Sequence, residues 1–309
     1  MREVEAVLIS HGISTCAGCA LELAARHVMD VLGPNTVIVI PPGCAALLSG
    51  FGSETALRIP GIQGNLENSA AYAAGIRAGF EMQNRESVTV LALAGDGGTV
   101  DIGLQALSGV FERGDRILYV CYDNEAYMNT GIQGSGSTPV GATTTTTPGG
   151  KDRPRKDMLA IAAAHKIPYL ASASVGYVRD LRKKIEKAEA TSGPSYIHIH
   201  APCPTGWGYE SAKTIEVAKA AVQTGAWPLY EVEKGRTRIT VKVGELRPVA
   251  EYLRLQGRFS GLGDADIEAI QAQVTEDLES LLEKCQEEEC ETRSVRAATT
   301  GDRDIGELP

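Results

Sequence analysis

The stretch that decides the fold is Leu91–Asn129, LALAGDGGTVDIGLQALSGVFERGDRILYVCYDNEAYMN. It opens with an apolar run that ends in the sequence GDGG at residues 95–98. It continues with helical spacing and passes through a second apolar run before Asn124. Strands that are continuously apolar, rather than alternating, are typical of a parallel sheet covered on both faces. Because the carboxyl ends of such strands meet at one edge of the sheet, we expect Asp96 and Asn124 to lie close together.

The spacing within this stretch predicts a cofactor. Twenty-six residues separate Gly97 from Asn124, and a Gly-Asp-Gly followed at this distance by an asparagine is the signature of thiamine diphosphate binding. Glycines allow the backbone to approach a diphosphate closely, and the Asp and Asn supply hard oxygen ligands for Mg²⁺. A Gly-Asp-Gly alone is common in turns, so the prediction depends on the spacing, the flanking strands and Asn124 together.

Four of the seven cysteines stand in loops rich in glycine and proline. Cys16 and Cys19 form a C-x-x-C, Cys44 follows a Pro-Pro-Gly turn, and Cys203 lies between two prolines. Such loops let side chains converge, which suits an iron–sulfur cluster. Four thiolates also hold Zn²⁺, and a C-x-x-C can act as a redox pair. Because only two of the four cysteines are close in sequence, spacing alone leaves these alternatives open.

The other three cysteines are predicted to be bystanders. Cys121 lies inside an apolar run and is expected to be a small buried hydrophobe. Cys285 and Cys290 stand five residues apart on a Glu-rich segment with helical spacing. That spacing places them on different faces of a helix, so they are poorly arranged to share a ligand.

Together, these motifs resemble the β subunit, or thiamine diphosphate-binding subunit, of the pyruvate:ferredoxin and related 2-oxoacid:ferredoxin oxidoreductases. The resemblance covers residues 12–230 and includes further matches in the same order. These matches are Asp101-Ile102-Gly103, Ser135–Pro139, Thr143–Pro148, Gly150-Lys151, Ile167–Tyr169 and Ala201–Trp207.

The resemblance implies a set of binding residues. It favours one [4Fe–4S] cluster over zinc, with the ligands Cys16, Cys19, Cys44 and Cys203. It adds the backbone carbonyl of Ala126 to Asp96 and Asn124 as the Mg²⁺ ligands. The residues expected to contact the cofactor are Gly43, Gly95, Asp96, Gly97, Gly98, Asn124, Ala126, Asn129 and Thr130. Of these, Asn129 is the candidate catalytic residue, because it is the best placed to reach the reacting centre.

The resemblance also implies an activity. Enzymes of this family oxidatively decarboxylate a small 2-oxoacid to CO₂ and pass electrons through a [4Fe–4S] cluster to ferredoxin. The chain departs from the usual pyruvate pattern at Gly134 and across Ala45–Asn65, and we therefore expect either oxalate or pyruvate as substrate. Two other classes stay open: a non-redox thiamine diphosphate-dependent decarboxylase subunit with a structural zinc site, and an assembly subunit without cofactor.

Composition and net charge narrow the cellular location and the classes of binding partner expected for this chain. The chain has 309 residues and a net charge of −9, which disfavours binding to nucleic acid. It has no run of 18 apolar residues, so no membrane span is expected. The N-terminal residues lack a signal-peptide pattern, and seven cysteines, an odd number, suit a reducing cytoplasm. The expected partners are a 2-oxoacid, ferredoxin and other subunits of α and γ/δ type.

The whole chain predicts a doubly wound α/β fold with a mainly parallel sheet of the thiamine diphosphate-binding type. We expect one domain over residues 1–226 and a subunit-contacting C-terminal extension over residues 227–309. Predicted strands are Thr36–Ile40, Val88–Ala94, Ile117–Tyr122, Tyr169–Ser172 and Ser195–His200. Predicted helices are Asn68–Met82, Asp101–Glu112, Met158–His165, Val178–Ala190, Val249–Leu255 and Asp264–Glu289. A hairpin is predicted over Glu231–Val243 around Gly235, an ordered loop over residues 129–155 and a tail from Ser294.

Overall fold

The computed structural model describes residues 7–50 and 54–300, and the side chains of this part up to residue 286. The side chain of Cys290 and the end of the expected tail lie outside the described residues. Within the described part, none of the helices has the length and apolar character needed to cross a bilayer.

One eight-stranded sheet organises the chain, in the order β2-β1-β3-β4-β6-β5-β7-β8. The strands are β1 Thr36–Ile40, β2 Gly61–Gln63, β3 Thr89–Gly95, β4 Leu118–Asp123, β5 Tyr169–Ser174, β6 Ser195–His200, β7 Tyr230–Glu233 and β8 Arg236–Ile239. The pairs from β2 across to β5 are parallel, whereas β7 and β8 are antiparallel additions. The predicted doubly wound, mainly parallel fold is therefore confirmed.

Helices cover both faces of this sheet. They are α1 Ala20–Leu32, α2 Ala46–Ser49, α3 Ser69–Met82, α4 Leu104–Arg113, α5 Met158–Ala164, α6 Val178–Ala190, α7 Pro204–Trp207, α8 Thr214–Gln223, α9 Val249–Leu253 and α10 Asp264–Thr300. Helices α1 and α6 pack on one face, and α3, α4 and α5 on the other. Successive residues of β3 point alternately into these two cores: Leu91 and Leu93 into the first, Ala92 and Ala94 into the second. Burial on both faces explains why the central strands are continuously apolar.

A third core joins the C-terminal residues to the rest of the chain. It is built around Trp207 and contains residues of α8 and α9 together with Trp227 and Phe259. The hairpin predicted around Gly235 is confirmed: Lys234 and Gly235 both have positive φ, 52° and 76°, between antiparallel β7 and β8. A two-residue turn of this kind matches the twist of the strands it connects.

The helix predicted from Asp101 begins differently. A π-helical turn over Gly97–Asp101 comes first, and α4 starts only at Leu104. Gly103 stands at the junction, where a Cβ atom would come within 2.0 Å of the Gly98 carbonyl oxygen. Wide turns of this type occur mostly at functional sites. The prediction missed it because helical periodicity alone does not distinguish the two kinds of turn.

Arg77 provides a test of how the sheet is anchored at its amino edge. Its buried guanidinium donates to the carbonyl oxygens of Arg116, Glu86 and Val88 at 2.9, 3.2 and 2.5 Å. We expect Arg77→Met to lower the free energy of unfolding by about 3 kcal/mol, because three carbonyls lose a charged donor. Arg113→Met is the matched control: Arg113 is half exposed and pairs only with Asp115, so its loss should cost less than about 1 kcal/mol. Urea denaturation measures both, and equal effects would contradict the anchoring role.

Candidate active site

The two residues of the cofactor signature meet at one edge of the sheet. Asp96 directly follows β3, and Asn124 directly follows β4. These strands are neighbours, with Gly95 opposite Tyr122 in the register. Both side chains are buried, Asp96 at 1% and Asn124 at 5% exposure.

A carboxylate, a side-chain amide and a backbone carbonyl converge at this edge. One end of the Asn124 amide lies 3.0 Å from Asp96 Oδ1 and 2.9 Å from the carbonyl oxygen of Ala126, and with its N–H₂ at that end it donates to both. The other end of the amide lies 3.9 Å from Cys44 Sγ. A half-turn of the amide would bring its oxygen to the same place as the other two. Carboxylate, amide and carbonyl oxygens form the kind of donor set that Mg²⁺ binds.

Buried negative charge surrounds these oxygens. Burial raises the pKa of Asp96 well above its ordinary value, and Asp123 raises it further, while a hydrogen bond from Ser135 at 2.5 Å opposes the shift. Burial also acts on Asp123, but its contact with His198 at 2.6 Å holds the pKa of that carboxyl below its ordinary value. A site of this kind favours binding of a divalent cation.

A turn with unusual backbone geometry presents two of the three oxygens. Glu125, between Asn124 and Ala126, has φ 63°, a conformation uncommon outside glycine. Its N–H donates to Asp123 Oδ1 at 2.8 Å, and its carbonyl accepts from Thr138 Oγ1 at 2.6 Å. These bonds fix the segment in the conformation that turns both oxygens toward Asp96.

The glycines of the signature have close neighbours. A Cβ atom on Gly97 would come within 2.3 Å of the Tyr127 ring, and one on Gly98 within 3.2 Å of Leu66. The Tyr127 hydroxyl donates to the Gly97 carbonyl at 3.2 Å and to Asp101 at 3.1 Å. These bonds hold the Tyr127 ring against the glycine turn. The ring leaves no space for a side chain at Gly97.

Tyr122 brings a second glycine loop to the same place. Its hydroxyl accepts the backbone N–H of Ala45 at 3.0 Å. A Cβ on Gly43 would lie 3.4 Å from this hydroxyl, and one on Gly95 would lie 3.1 Å from the ring. The structure therefore places Gly43, predicted to contact the cofactor, beside Gly95.

The loop that follows the turn at Glu125 is ordered. Tyr127 and Gln133 are paired through their backbones at 2.8 Å. Lys151 then donates to the carbonyls of Ser135 and Thr138 at 3.1 and 2.6 Å. Asn129 and Thr130 are exposed at its start.

The four candidate cysteines occupy separate elements: Cys16 and Cys19 before α1, Cys44 after β1 and Cys203 before α7. Cys16 is exposed, and the other three are half-buried thiols. Burial, and then the charges of Cys203 and Cys19, raise the pKa of Cys44 to about 12, so these thiols are near enough for their charges to interact. Among the described residues, however, no three His, Cys, Asp or Glu side chains converge closely enough to form a metal ligand set.

Comparison with known proteins shows the family to which the chain belongs. Residues 41–199 match the thiamine pyrophosphate enzyme, C-terminal TPP-binding domain. The chain is 50% identical over 279 residues to pyruvate synthase subunit PorB of Methanothermobacter thermautotrophicus, covering 89% of this chain and 97% of that one. It is 45% identical over 282 residues to ketoisovalerate oxidoreductase subunit VorB of Pyrococcus abyssi, covering 87% and 91%. The chain is a β subunit of the 2-oxoacid:ferredoxin oxidoreductase family.

A solved structure agrees with the fold of this family. A chain of the 2-oxoglutarate:ferredoxin oxidoreductase from Magnetococcus marinus matches with a TM-score of 0.56 and 22% identity, over 64% of this chain and 67% of that one. The predicted family, the enzyme class and the binding of thiamine diphosphate are thus confirmed.

Several residues that contact the β-subunit site were not among the predicted site residues. Trp207 donates its indole N–H to the Asn124 carbonyl at 2.8 Å, and Arg258 pairs with Glu125 at 2.5 Å. Ser135 bonds to Asp96. Ser135 and Trp207 stand inside segments of the family resemblance, which could have marked them as candidates. Arg258 belongs to no motif, and only the folded structure reveals it.

Gly97 offers a test of the cofactor site. We expect Gly97→Ala to weaken thiamine diphosphate binding by roughly tenfold or more, because the new methyl group must displace the Tyr127 ring at a cost of about 1–3 kcal/mol. Gly75→Ala is the control, since a Cβ there meets nothing within 4 Å on α3 and alanine favours the helix. Titration of cofactor-depleted complex measures both, and wild-type affinity in Gly97→Ala would show that the glycine turn lies away from the cofactor.

Proposed function

We propose that this β subunit, within its complex in the cytoplasm, catalyses oxidative decarboxylation of pyruvate, in which CO₂ is released and the remaining acetyl group is passed to a thiol such as coenzyme A. Electrons leave through one [4Fe–4S] cluster to ferredoxin. The observation that carries this proposal is the convergence of the Asp96 carboxylate, the Asn124 amide and the Ala126 carbonyl, with the far end of the Asn124 amide 3.9 Å from Cys44 Sγ. One side chain therefore lies between the proposed metal site and a proposed cluster ligand.

The metal site would hold the cofactor by its diphosphate. Asp96, Asn124 and the Ala126 carbonyl would bind Mg²⁺, and Ser135 would keep the Asp96 carboxylate turned toward it. The neighbouring turn at Gly97 and Gly98 lets the backbone approach the phosphates. When bound there, thiamine diphosphate supplies a thiazolium that acts as the electron sink for decarboxylation.

The proposed cluster ligands are Cys16, Cys19, Cys44 and Cys203. Three of the four are half-buried, and after burial the charges of the other cysteines also raise the pKa of Cys19 and Cys44, which supports this assignment. The loop geometry around Cys203 supports it further: its sulfur accepts the backbone N–H of Gly206 at 3.3 Å, the type of bond that tunes iron–sulfur sites.

The substrate is inferred from the relatives and from the loop. The named relatives act on pyruvate or ketoisovalerate, as their names state, which favours a 2-oxoacid with one carboxylate over oxalate. Gly134, where the chain departs from the usual pyruvate pattern, packs beneath a threonine run: a Cβ there would lie 3.3 Å from Thr144 Oγ1 and 3.4 Å from Thr146 Oγ1. These hydroxyls occupy the space that a larger side chain would fill.

Part of the active site is proposed to come from another subunit. Arg155 and Arg258, the arginines beside the metal-binding turn, are both paired with Glu125, and neither is available to bind a substrate carboxylate. The relatives are themselves named as subunits. We expect α- and γ/δ-type partners to supply the substrate-binding cation and the path to ferredoxin.

Turnover of the purified complex tests the proposed function. The assay follows viologen or ferredoxin reduction with pyruvate, 2-oxoisovalerate and oxalate, each with and without coenzyme A. We expect the fastest reduction with pyruvate and a brown protein with broad visible absorbance. Decarboxylation without reduction by a colourless, zinc-containing complex would establish the non-redox alternative, and fastest turnover of oxalate would overturn the substrate assignment.

Cys203 tests the cluster. We expect Cys203→Ser to lose the [4Fe–4S] spectrum and most of the iron, because serine is a poor ligand for a soft iron–sulfur site. Cys285→Ser, on distant α10, should keep the wild-type iron content. Iron analysis and electron paramagnetic resonance of the reduced complexes measure the difference, and an intact cluster in Cys203→Ser would remove this residue from the ligand set.

A further inference from the structure

Arg258 follows α9 in the C-terminal segment, far from the signature motifs in sequence. Its guanidinium is buried, with its Cζ 3.7 Å from the centre of the Trp207 ring. Nη2 donates to Glu125 at 2.5 Å, and Nε donates to Gln256 at 2.9 Å. A planar cation that is both stacked and paired is held in a single position.

The partner of this cation lies at the centre of the metal-binding turn. Glu125 stands between Asn124 and Ala126, and only 3% of its side chain is exposed. The other cation near it, Arg155, is 3.7 Å away and 36% exposed. Arg258 is therefore the closer and better shielded of the two charges that compensate the Glu125 carboxylate.

Arg258 contacts the turn through a second route. Trp207, over which the guanidinium stacks, donates its indole N–H to the carbonyl of Asn124. The backbone of Arg258 is itself fixed, since its carbonyl accepts the N–H of Thr143 at 3.0 Å. The guanidinium thus links the side chain of Glu125 and the backbone of Asn124 to a rigid support.

We propose that Arg258 is a positioning residue for the metal site. It holds the left-handed turn at Glu125 so that the oxygens of Asn124 and Ala126 face Asp96. Arg258 touches neither the metal oxygens nor the proposed cofactor contacts, and it acts through Glu125 and Trp207. This inference rests on the proposed Mg²⁺ site.

The sign of the effect separates positioning from simple electrostatics. Arg258 is a cation close to a site for a divalent cation. On charge alone, its removal would therefore strengthen metal binding, since the Glu125 carboxylate would lose its compensation. Positioning predicts the opposite result, because a turn that is free to move no longer brings the oxygens together.

A second variant separates positioning from loss of fold. Removing Arg258 alone takes from a buried carboxylate its closer counter-charge and leaves only Arg155 at 3.7 Å, which is destabilising. In Glu125→Gln/Arg258→Met, both charges are absent, and most of that destabilisation should disappear. The neutral pair does not restore the charged hydrogen bond from Arg258 Nη2 to Glu125 that holds the turn.

The experiment uses the intact complex, depleted of divalent cations and supplied with thiamine diphosphate. Mn²⁺ is the probe, and its binding is followed by electron paramagnetic resonance. We expect Arg258→Met to bind Mn²⁺ about 10–100-fold more weakly than wild type, the usual effect of losing an outer-shell support. Arg258→Lys should be intermediate, and Arg155→Met, the matched control, should be close to wild type. The double variant should regain thermal stability but remain weak in Mn²⁺ binding.

Several results would overturn the inference. If Arg258→Met binds Mn²⁺ as tightly as wild type or more tightly, Arg258 does not position the metal site. Its effect on metal binding would then be electrostatic or absent. Recovery of Mn²⁺ affinity together with thermal stability in the double variant would reduce Arg258 to a contribution to the fold. A wild-type complex that binds no Mn²⁺ with thiamine diphosphate would refute the proposed metal site as well, and this result is distinguishable from the other two.

Discussion

The structure depends on a cluster of buried carboxylates at the carboxyl ends of β3 and β4. Three carboxylates, Asp96, Asp123 and Glu125, are each at most 2% exposed. Asp123 and Glu125 flank Asn124 in sequence, and Asp96 contacts the Asn124 side chain. Buried charges are costly unless they are paired and hydrogen-bonded. Each of them therefore needs a partner, and the arrangement of the surrounding chain is largely an arrangement of those partners.

The partners come from distant parts of the sequence, and the order of the strands explains how they arrive. β6 lies beside β4, with His198 opposite Cys121 in the register, which brings the imidazole to Asp123. The ordered loop after the turn at Glu125 delivers Ser135 to Asp96. The segment after α9 delivers Arg258 to Glu125. The order of the strands and the loops between them therefore determines which partners reach the buried carboxylates.

Local patterns predicted much of this arrangement. The continuously apolar strands, the meeting of Asp96 with Asn124 and the hairpin at Gly235 each follow from residues that are near one another in sequence. The π-helical turn at Gly97–Asp101 did not follow, because its periodicity over five residues resembles that of an ordinary helix. The pairing of Glu125 with Arg258 could not be predicted, since they stand 133 positions apart in sequence and no pattern links the two.

The positions of the four cysteines along the chain have a consequence for the biosynthesis of the protein. Cys16, Cys19 and Cys44 stand before β2, whereas Cys203 follows β6, the last parallel strand along the chain. A nascent chain that ends before Cys203 lacks one of these thiols altogether. Any inorganic group that all four thiols shared would therefore be completed only after the parallel strands had been synthesised, and exposed Cys16 would be the thiol most open to solvent.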